Sequence, residues 1–227
     1  MVAGSVLSAA EKGNNNSNQP LVVPVMKTAP MIDGKVEQSE WRASTGFDGF
    51  QRNGNLQWRR AQGFVGARGK HIYVAIKSQR PAEGELKAEI DRDSLKVVHD
   101  DALEIFVNPT FQANDNVDYQ MLANSLGHVG YNIHMLGDPD ESVSWRGNWE
   151  FANGFHEGYW HFECAIPIET MNTVDKGRTV TDGLWRVNLT RDWKNPWEWS
   201  SLAGGYTRAG VVFNFTDQPA AATRFQF

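Results

Sequence analysis

The sequence predicts an all-β fold, with one antiparallel β-sandwich of jelly-roll-like form behind a flexible N-terminal head. Roughly nine short segments alternate apolar and polar residues, which is the period of a strand with one buried face. Turn-forming pairs separate these segments, and little of the chain has helical spacing. A chain of 227 residues with 41% hydrophobic residues is long enough to bury one large core of this kind.

The elements follow in order along the chain. Residues 1–20 are expected to be a flexible polar linker, and residues 21–227 the β domain. A short helix is expected from Glu37 to Ser44, with Trp41 turned inward. The expected strands are Leu56–Ala67, His71–Ser78, Ala102–Asn108, Asp118–Asn124, Val129–Leu136, Val143–Phe151, Tyr159–Ile166, Leu184–Arg191 and Val211–Phe215. The turn signals are Arg68-Gly69, Gly137-Asp138-Pro139-Asp140, Asn153-Gly154 and Asp182-Gly183.

The segment from Trp193 to Gly210 is predicted to connect the last two strands. It carries three tryptophans, a Gly-Gly pair and Tyr206. Aromatic residues in a connecting segment are candidates for a ligand-binding surface. The same residues are also able to fold back as a cap over the end of the sandwich, and the sequence leaves both interpretations open.

Composition argues against several classes of function. A net charge of −5 and a pI near 5.7 argue against nucleic-acid binding. No apolar stretch approaches the ~20 residues of a membrane-spanning helix. The single cysteine, Cys164, rules out an intrachain disulfide, and its phase with apolar neighbours predicts a buried structural thiol. Residues 1–10 lack a signal-peptide pattern, and no P-loop, nucleophile elbow or dinucleotide-binding fingerprint occurs.

The segment from Asp100 to Pro109 carries the most informative pattern. Strict alternation directs Leu103, Ile105 and Val107 to one face and places Glu104 among apolar residues on the other. Removing a carboxylate from water is costly unless something binds it. Glu104 is therefore expected to meet an internal arginine, a metal or a ligand hydroxyl, or else to lie on the wet face of a half-exposed sheet.

Six motifs in a fixed order resemble the family 9 carbohydrate-binding modules, a group of β-sandwiches of the DOMON-like kind. The motifs are Ile32-Asp33-Gly34-Lys35-Val36-Glu37 with Glu40-Trp41, His71-Ile72-Tyr73-Val74-Ala75, Asp100-Asp101-Ala102-Leu103-Glu104-Ile105-Phe106, Tyr119-Gln120 with Asn124 and Gly127, Trp145 and Trp149 with the segment Trp160–Pro167, and Trp185–Arg191. The resemblance spans residues 30 to 215. It implies the same sandwich fold and a non-catalytic, carbohydrate-binding function.

The resemblance also implies a site. Two aromatic side chains in this family sandwich a terminal sugar ring, and polar groups hold its hydroxyls. Glu104 and Gln120 match two of the polar positions, and His99 and Asn124 are expected at the edge. Where members of the family carry one of the two aromatic residues, this chain has Val97-Val98-His99. Where some members carry a basic residue, it has Leu122. The candidates for the stacking platform are Trp197, Trp199 and Tyr206.

By the same resemblance, the ligand is expected to be a polysaccharide or oligosaccharide, and the partner a glycoside hydrolase or lyase in an extracellular or cell-surface setting. Structural calcium is a further expectation, since Ca²⁺ prefers clustered carboxylate oxygens. The first candidate ligands are Asp91, Asp93, Asp100 and Asp101, and a second cluster is Asp138, Asp140 and Glu141.

The sequence leaves functions other than carbohydrate binding open. Haem-binding electron-transfer proteins share the superfamily, and the candidate axial ligands are Met121, His128, His134 and Met135. A docking domain without a sugar site is another interpretation. A glycosidase would need two carboxylates across a cleft, and Glu104 with Glu163 is one such pair. Glu163 is also expected to pair internally with Arg186 or Arg191.

Overall fold

Two β-sheets pack face to face in the computed structural model of the chain, which confirms the predicted antiparallel sandwich. It describes residues 19–80, 86–112, 117–135, 145–205 and 208–218, together with the backbone of 224–226. Helix is limited there to three short 3₁₀ turns, at Trp41–Ala43, Leu95–His99 and Ile168–Thr170. None of the described helices is long and apolar enough to cross a membrane.

Within the described residues, fifteen strands, β1 to β15, make up the two sheets. In chain order they are Leu21–Pro24, Thr45–Asp48, Gln51–Arg52, Asn55–Leu56, Ala61–Arg68, His71–Gln79, Ala102–Asn108, Val117–Asn124, Val129–Met135, Glu150–His156, Tyr159–Pro167, Leu184–Lys194, Trp197–Ser201, Val211–Thr216 and Arg224–Gln226. Sheet A has the order β4-β3-β13-β12-β7-β8-β9, with β14 beside β12 and β1 beside β14. Sheet B has the order β10-β11-β6-β5-β2-β15.

Alternate residues of both sheets form the core between them. Ile105 and Leu189 of sheet A and Val74 and Phe162 of sheet B are fully buried there. Cys164 lies in the same layer and is a buried free thiol, as predicted. In β7 and β8 every residue is buried, so the outer face of sheet A is covered as well as the inner one.

Several predicted boundaries differ from the structure. Asn153-Gly154 does not turn the chain; both residues lie inside β10, and the turn is at Glu157-Gly158, where both residues have positive φ. The segment from Trp193 to Gly210 contains strand β13 rather than only a connection. The helix predicted from Glu37 is reduced to the 3₁₀ turn at Trp41–Ala43. Residues 1–18 of the predicted head at 1–20 and the predicted turn at 137–140 lie outside the described residues.

A buried carboxylate fastens the N-terminal segment to the outer face of sheet B. Glu163 accepts hydrogen bonds from Asp33 N at 3.2 Å, Gly34 N at 3.0 Å and Trp41 Nε1 at 2.9 Å. Burial raises the pKa of Glu163, and these three donors act against that rise. The prediction that Glu163 pairs with Arg186 or Arg191 is wrong, because both arginines lie on sheet A.

Candidate functional site

A polar network crosses the outer face of sheet A from β7 to the edge strand β9. Gln120 Nε2 donates to Glu104 Oε2 at 2.8 Å, and His134 Nε2 donates to Gln120 Oε1 at 2.6 Å. Glu104 is 0% exposed. The strand register brings these three side chains to one face, because β8 pairs with β7 on one side and with β9 on the other. Leu122 lies beside Glu104 in the same register.

Strand β12 borders this network with further polar groups. Thr190 pairs in register with Glu104, and Asn188 pairs with Phe106. The Thr190 side chain is 1% exposed, and its hydroxyl has no hydrogen-bond partner among the described residues. Asp192 Oδ1 is also without a partner there, while its other oxygen meets the Lys194 ammonium. Burial raises the pKa of Asp192.

The far end of the network is closed by an ion pair. Arg186 Nη2 donates to both carboxylate oxygens of Asp118, at 3.1 and 3.3 Å. Asn108 Nδ2 donates to the same carboxylate at 3.1 Å, and Arg208 N donates at 3.0 Å. Asp118 therefore ties β8 to β12 and to the segment that follows β13.

Two segments lie along the sides of this face. On one side, Asp100 accepts hydrogen bonds from Glu89 N and Ile90 N, and Asn124 Nδ2 donates to Ile90 O at 2.8 Å. These contacts hold residues 86–99 against the sheet. On the other side, Asn188 Nδ2 donates to Gly205 O at 3.0 Å. The Glu104–Gln120–His134 network thus lies between two loops that internal hydrogen bonds hold in place.

The carboxylates of the first predicted calcium cluster have separate partners. Asp101 accepts from Lys87 N at 2.7 Å and Lys194 N at 2.6 Å, and burial raises its pKa. Asp93 accepts from Val129 N at 3.0 Å, and Asp91 is exposed. No group of three or more His, Cys, Asp or Glu side chains in the described part of the chain is placed to hold a metal. Asp138, Asp140 and Glu141 lie outside those residues.

The predicted aromatic platform lies on β13, on the same face as the network. Trp199 pairs in register with Asp192, and Trp197 pairs with Lys194. Trp197 is 57% exposed, and the guanidinium carbon of Arg52 lies 4.4 Å from its ring centroid and 5.9 Å from that of Trp199. The Arg52 guanidinium therefore lies within cation–π distance of both indoles. Tyr206 lies outside the described residues.

His99 and Asn124 occupy different environments. His99 is exposed at the end of the 3₁₀ turn Leu95–His99, next to the half-exposed Val98. Asn124 is fully buried, and its Oδ1 accepts from Leu126 N and His128 N while its Nδ2 donates to Ile90 O and Asp100. In this structure Asn124 shapes the loop beside the network.

The alternative chemistries find little support in the geometry. Glu104 faces outward from sheet A and Glu163 outward from sheet B, so the two carboxylates lie on opposite sides of the sandwich and do not share a cleft. Met121 faces the core, whereas His134 lies on the outer face of sheet A, so these two cannot bind one haem iron. His128 lies beside Asp93, with 3.7 Å between Nδ1 and Oδ1.

Sequence reasoning missed two members of the site. Thr190 and His134 join Glu104 and Gln120 only because β12 and β9 flank the β7–β8 pair. The alternation of Val187 and Leu189 before Thr190 does show that the hydroxyl faces away from the core. What the sequence does not show is which strand lies next to it.

Comparison with known proteins places the fold. No protein-family model and no curated protein matches the sequence. A candidate carbohydrate-binding protein from Bacteroides uniformis matches with a TM-score of 0.67 and 15% identity, over 87% of this chain and 99% of that one. A family 9 carbohydrate-binding module from Caldicellulosiruptor kristjanssonii, solved with cellotriose, matches with a TM-score of 0.60 and 10% identity, over 90% and 97%. A structure of such a module from that organism with glucose gives 0.56 and 11%, over 88% and 97%. The chain has the β-sandwich fold of the family 9 carbohydrate-binding modules.

Proposed function

We propose that this chain is a non-catalytic carbohydrate-binding module that binds an oligosaccharide or polysaccharide on the outer face of sheet A. The observation that carries the proposal is the Thr190 hydroxyl, buried beside Glu104 and without a hydrogen-bond partner among the described residues. Buried polar groups in folded proteins are nearly always paired. A ligand hydroxyl that reached Thr190 would supply the missing partner.

The surrounding groups suit a sugar. Carboxylate and amide side chains accept from and donate to ring hydroxyls, and Glu104 and Gln120 provide both. Trp199 lies on the same face, two strands from Glu104, where an indole is able to pack on the apolar C–H face of a pyranose. Structures with this fold have been solved with cellotriose and with glucose bound, which supports the same ligand class here.

Access to the network has a free-energy cost. Because Glu104 is fully buried, a sugar reaches it only when part of the cover over sheet A moves aside. The cost of that opening subtracts from the affinity. We therefore expect dissociation constants in the micromolar to millimolar range, or roughly −4 to −8 kcal/mol.

The wider setting belongs to the same proposal. A module of this kind would act outside the cell or at its surface, attached to or beside a glycoside hydrolase or lyase that supplies the catalysis. Calcium at Asp91, Asp93, Asp100 and Asp101 stays a prediction. A cation at Asp100 or Asp101 would compete with the backbone amides that these carboxylates now bind.

A pair of isosteric variants tests the binding face. The purified chain is screened against soluble and insoluble glycans, with and without EDTA, and the best ligand is titrated by calorimetry. Thr190→Val should weaken binding about fivefold or more, the value of one hydrogen bond of ~1 kcal/mol, without lowering Tm. Thr45→Val is the matched control, because the Thr45 hydroxyl is equally buried and unpartnered among described residues, but on sheet B.

The variants separate binding from folding. Equal affinities for wild type and Thr190→Val, or no retention by any glycan in the panel, would contradict the proposal. Loss of binding in EDTA would support the calcium prediction, and unchanged binding would oppose it.

A further inference from the structure

A cavity of about 520 Å³ opens on the side of the sandwich opposite the Glu104 network. Its floor is the outer face of sheet B, where Asp48 pairs in register with Gln62 and Gln62 with Lys77. These residues alternate with core residues such as Phe47 and Ile76, so their side chains face outward. The cavity therefore shares no strand with the network around Glu104.

One wall of the cavity is a fixed and exposed tryptophan. Trp58 is 72% exposed, more than any other large hydrophobic side chain in the described part of the chain. The guanidinium carbon of Arg59, which is buried, lies 5.1 Å from the Trp58 ring centroid. A cation against the indole is an attractive contact that favours one ring orientation.

The backbone beneath Trp58 is anchored to the core. The guanidinium of Arg191, which is fully buried, donates to Arg59 O at 3.2 and 3.3 Å and to Arg60 O at 3.4 Å. Arg60 and Gln79 also exchange two hydrogen bonds, one of them through the Gln79 side chain. A loop held in this way loses little conformational entropy when a ligand binds.

The remaining walls provide polar groups and a second ring. Gln62 Nε2 donates to Asp48 Oδ1 at 2.6 Å. The Lys77 ammonium lies 4.9 Å from the ring centroid of Tyr159, which also lines the cavity. A carboxylate, an amide and an ammonium group thus surround a space bounded by two aromatic side chains.

We propose that this cavity is a second carbohydrate-binding site, with Trp58 as its stacking platform. An aromatic face packs on the apolar C–H face of a pyranose, and Asp48, Gln62 and Lys77 offer acceptors and donors for its hydroxyls. The volume lies within the range of small-ligand pockets, roughly 300–1,000 Å³. The site rests on its own observations and goes beyond the function proposed for sheet A.

Two sites on opposite sheets would have a functional consequence. Because one short oligosaccharide cannot reach both faces of the sandwich, each site would hold a separate chain or a separate stretch of one chain. Binding to an insoluble polysaccharide would then be bivalent and tighter than binding to a short oligosaccharide.

The test is an NMR titration of the ¹⁵N-labelled full chain with cellotriose, glucose and a panel of other oligosaccharides. At least one saccharide should shift the Trp58 indole N–H signal together with the amides of Gln62 and Lys77. Trp58→Ala should weaken this binding at least tenfold, and the fold should persist because the side chain is exposed. Trp197→Ala, which removes an exposed indole from the other sheet, is the matched control and should leave these shifts unchanged.

The two proposals fail separately in this experiment. Shifts confined to Gln120 and Thr190 would support the sheet A site and overturn the second site. Shifts confined to Gln62 and Lys77 would support the second site and contradict the first. Shifts at Gln62 that survive Trp58→Ala unchanged would overturn the role of Trp58, and a panel that shifts neither face would overturn both proposals.

Discussion

His161 makes the stability of the fold depend on pH. Its side chain is 4% exposed on the outer face of β11, and its Nδ1 accepts a hydrogen bond from Val36 N at 3.1 Å. Burial lowers the pKa of His161 from 6.5 to about 4, and the charges of Lys77, His156 and Lys35 act in the same direction. Protonation of His161 is therefore unfavourable in the folded chain. A proton on Nδ1 would point at the N–H of Val36, which now donates to that nitrogen.

The magnitude follows from the two pKa values. The unfolded chain binds this proton more tightly than the folded one, so the stabilisation is complete above pH 6.5 and is lost as the pH falls toward 4. Between pH 7.5 and pH 5.0 the loss amounts to about 2 kcal/mol. The burial-raised pKa of Glu163 has the opposite sign, because its contribution is lost as the pH rises.

Urea unfolding of wild type and His161→Asn at the two pH values isolates the effect. Asparagine does not titrate, and its Oδ1 is able to accept from Val36 N. The stability difference between the two proteins should change by about 2 kcal/mol between pH 7.5 and 5.0, while contributions such as that of Glu163 cancel. A difference that stays constant for His161→Asn, or one that changes in the opposite direction, would refute the reasoning.

Three further predictions concern the same sandwich. Glu163→Gln should lower the free energy of unfolding by about 2–4 kcal/mol, since the amide NH₂ cannot accept from the donors that the carboxylate binds. An unchanged urea midpoint would contradict this prediction. Cys164 should not react with a thiol reagent until urea unfolds the chain, because burial raises its pKa and excludes the reagent; rapid native labelling would oppose it. Gly34→Ala should lower Tm more than Gly69→Ala. Both glycines have positive φ, but only at Gly34 would the added Cβ lie 2.7 Å from Asn153 C. Equal losses of Tm in the two variants would contradict this packing.

The sequence predicted the strands whose alternate side chains face the core and failed where a residue pattern has another structural cause. Strands β6, β7, β8, β11 and β12 follow from alternation, because each contributes alternate side chains to one core. Gly154 reads as a turn residue, yet it lies inside β10, where a Cβ would approach Gly34 O to 2.6 Å. The absence of a side chain at Gly154 permits β10 to pack closely against Gly34 and does not mark a turn. Strand β13 was missed although its pairing with β12 is local: Lys194 pairs with Trp197 across Asn195-Pro196, and an Asn-Pro pair is a turn signal.

The candidate site was predicted in part. Glu104 and Gln120 were expected to act together, and a direct hydrogen bond joins them. Thr190 and His134 complete the network through strand neighbours that spacing along the chain does not reveal. The role of Asp100 requires the tertiary structure, because the sequence does not show that Glu89 N and Ile90 N return to its carboxylate.

The position of a bound sugar tests the central claim most directly. The measurement is a crystal structure of the chain soaked at saturating concentration with the tightest ligand from the glycan panel. We expect a sugar ring on the outer face of sheet A, with a hydroxyl within hydrogen-bonding distance of Thr190 Oγ1 and a polar contact to Glu104 or Gln120. A sugar bound only elsewhere, with the Glu104–Gln120–His134 network still covered and Thr190 still without a partner, would contradict it.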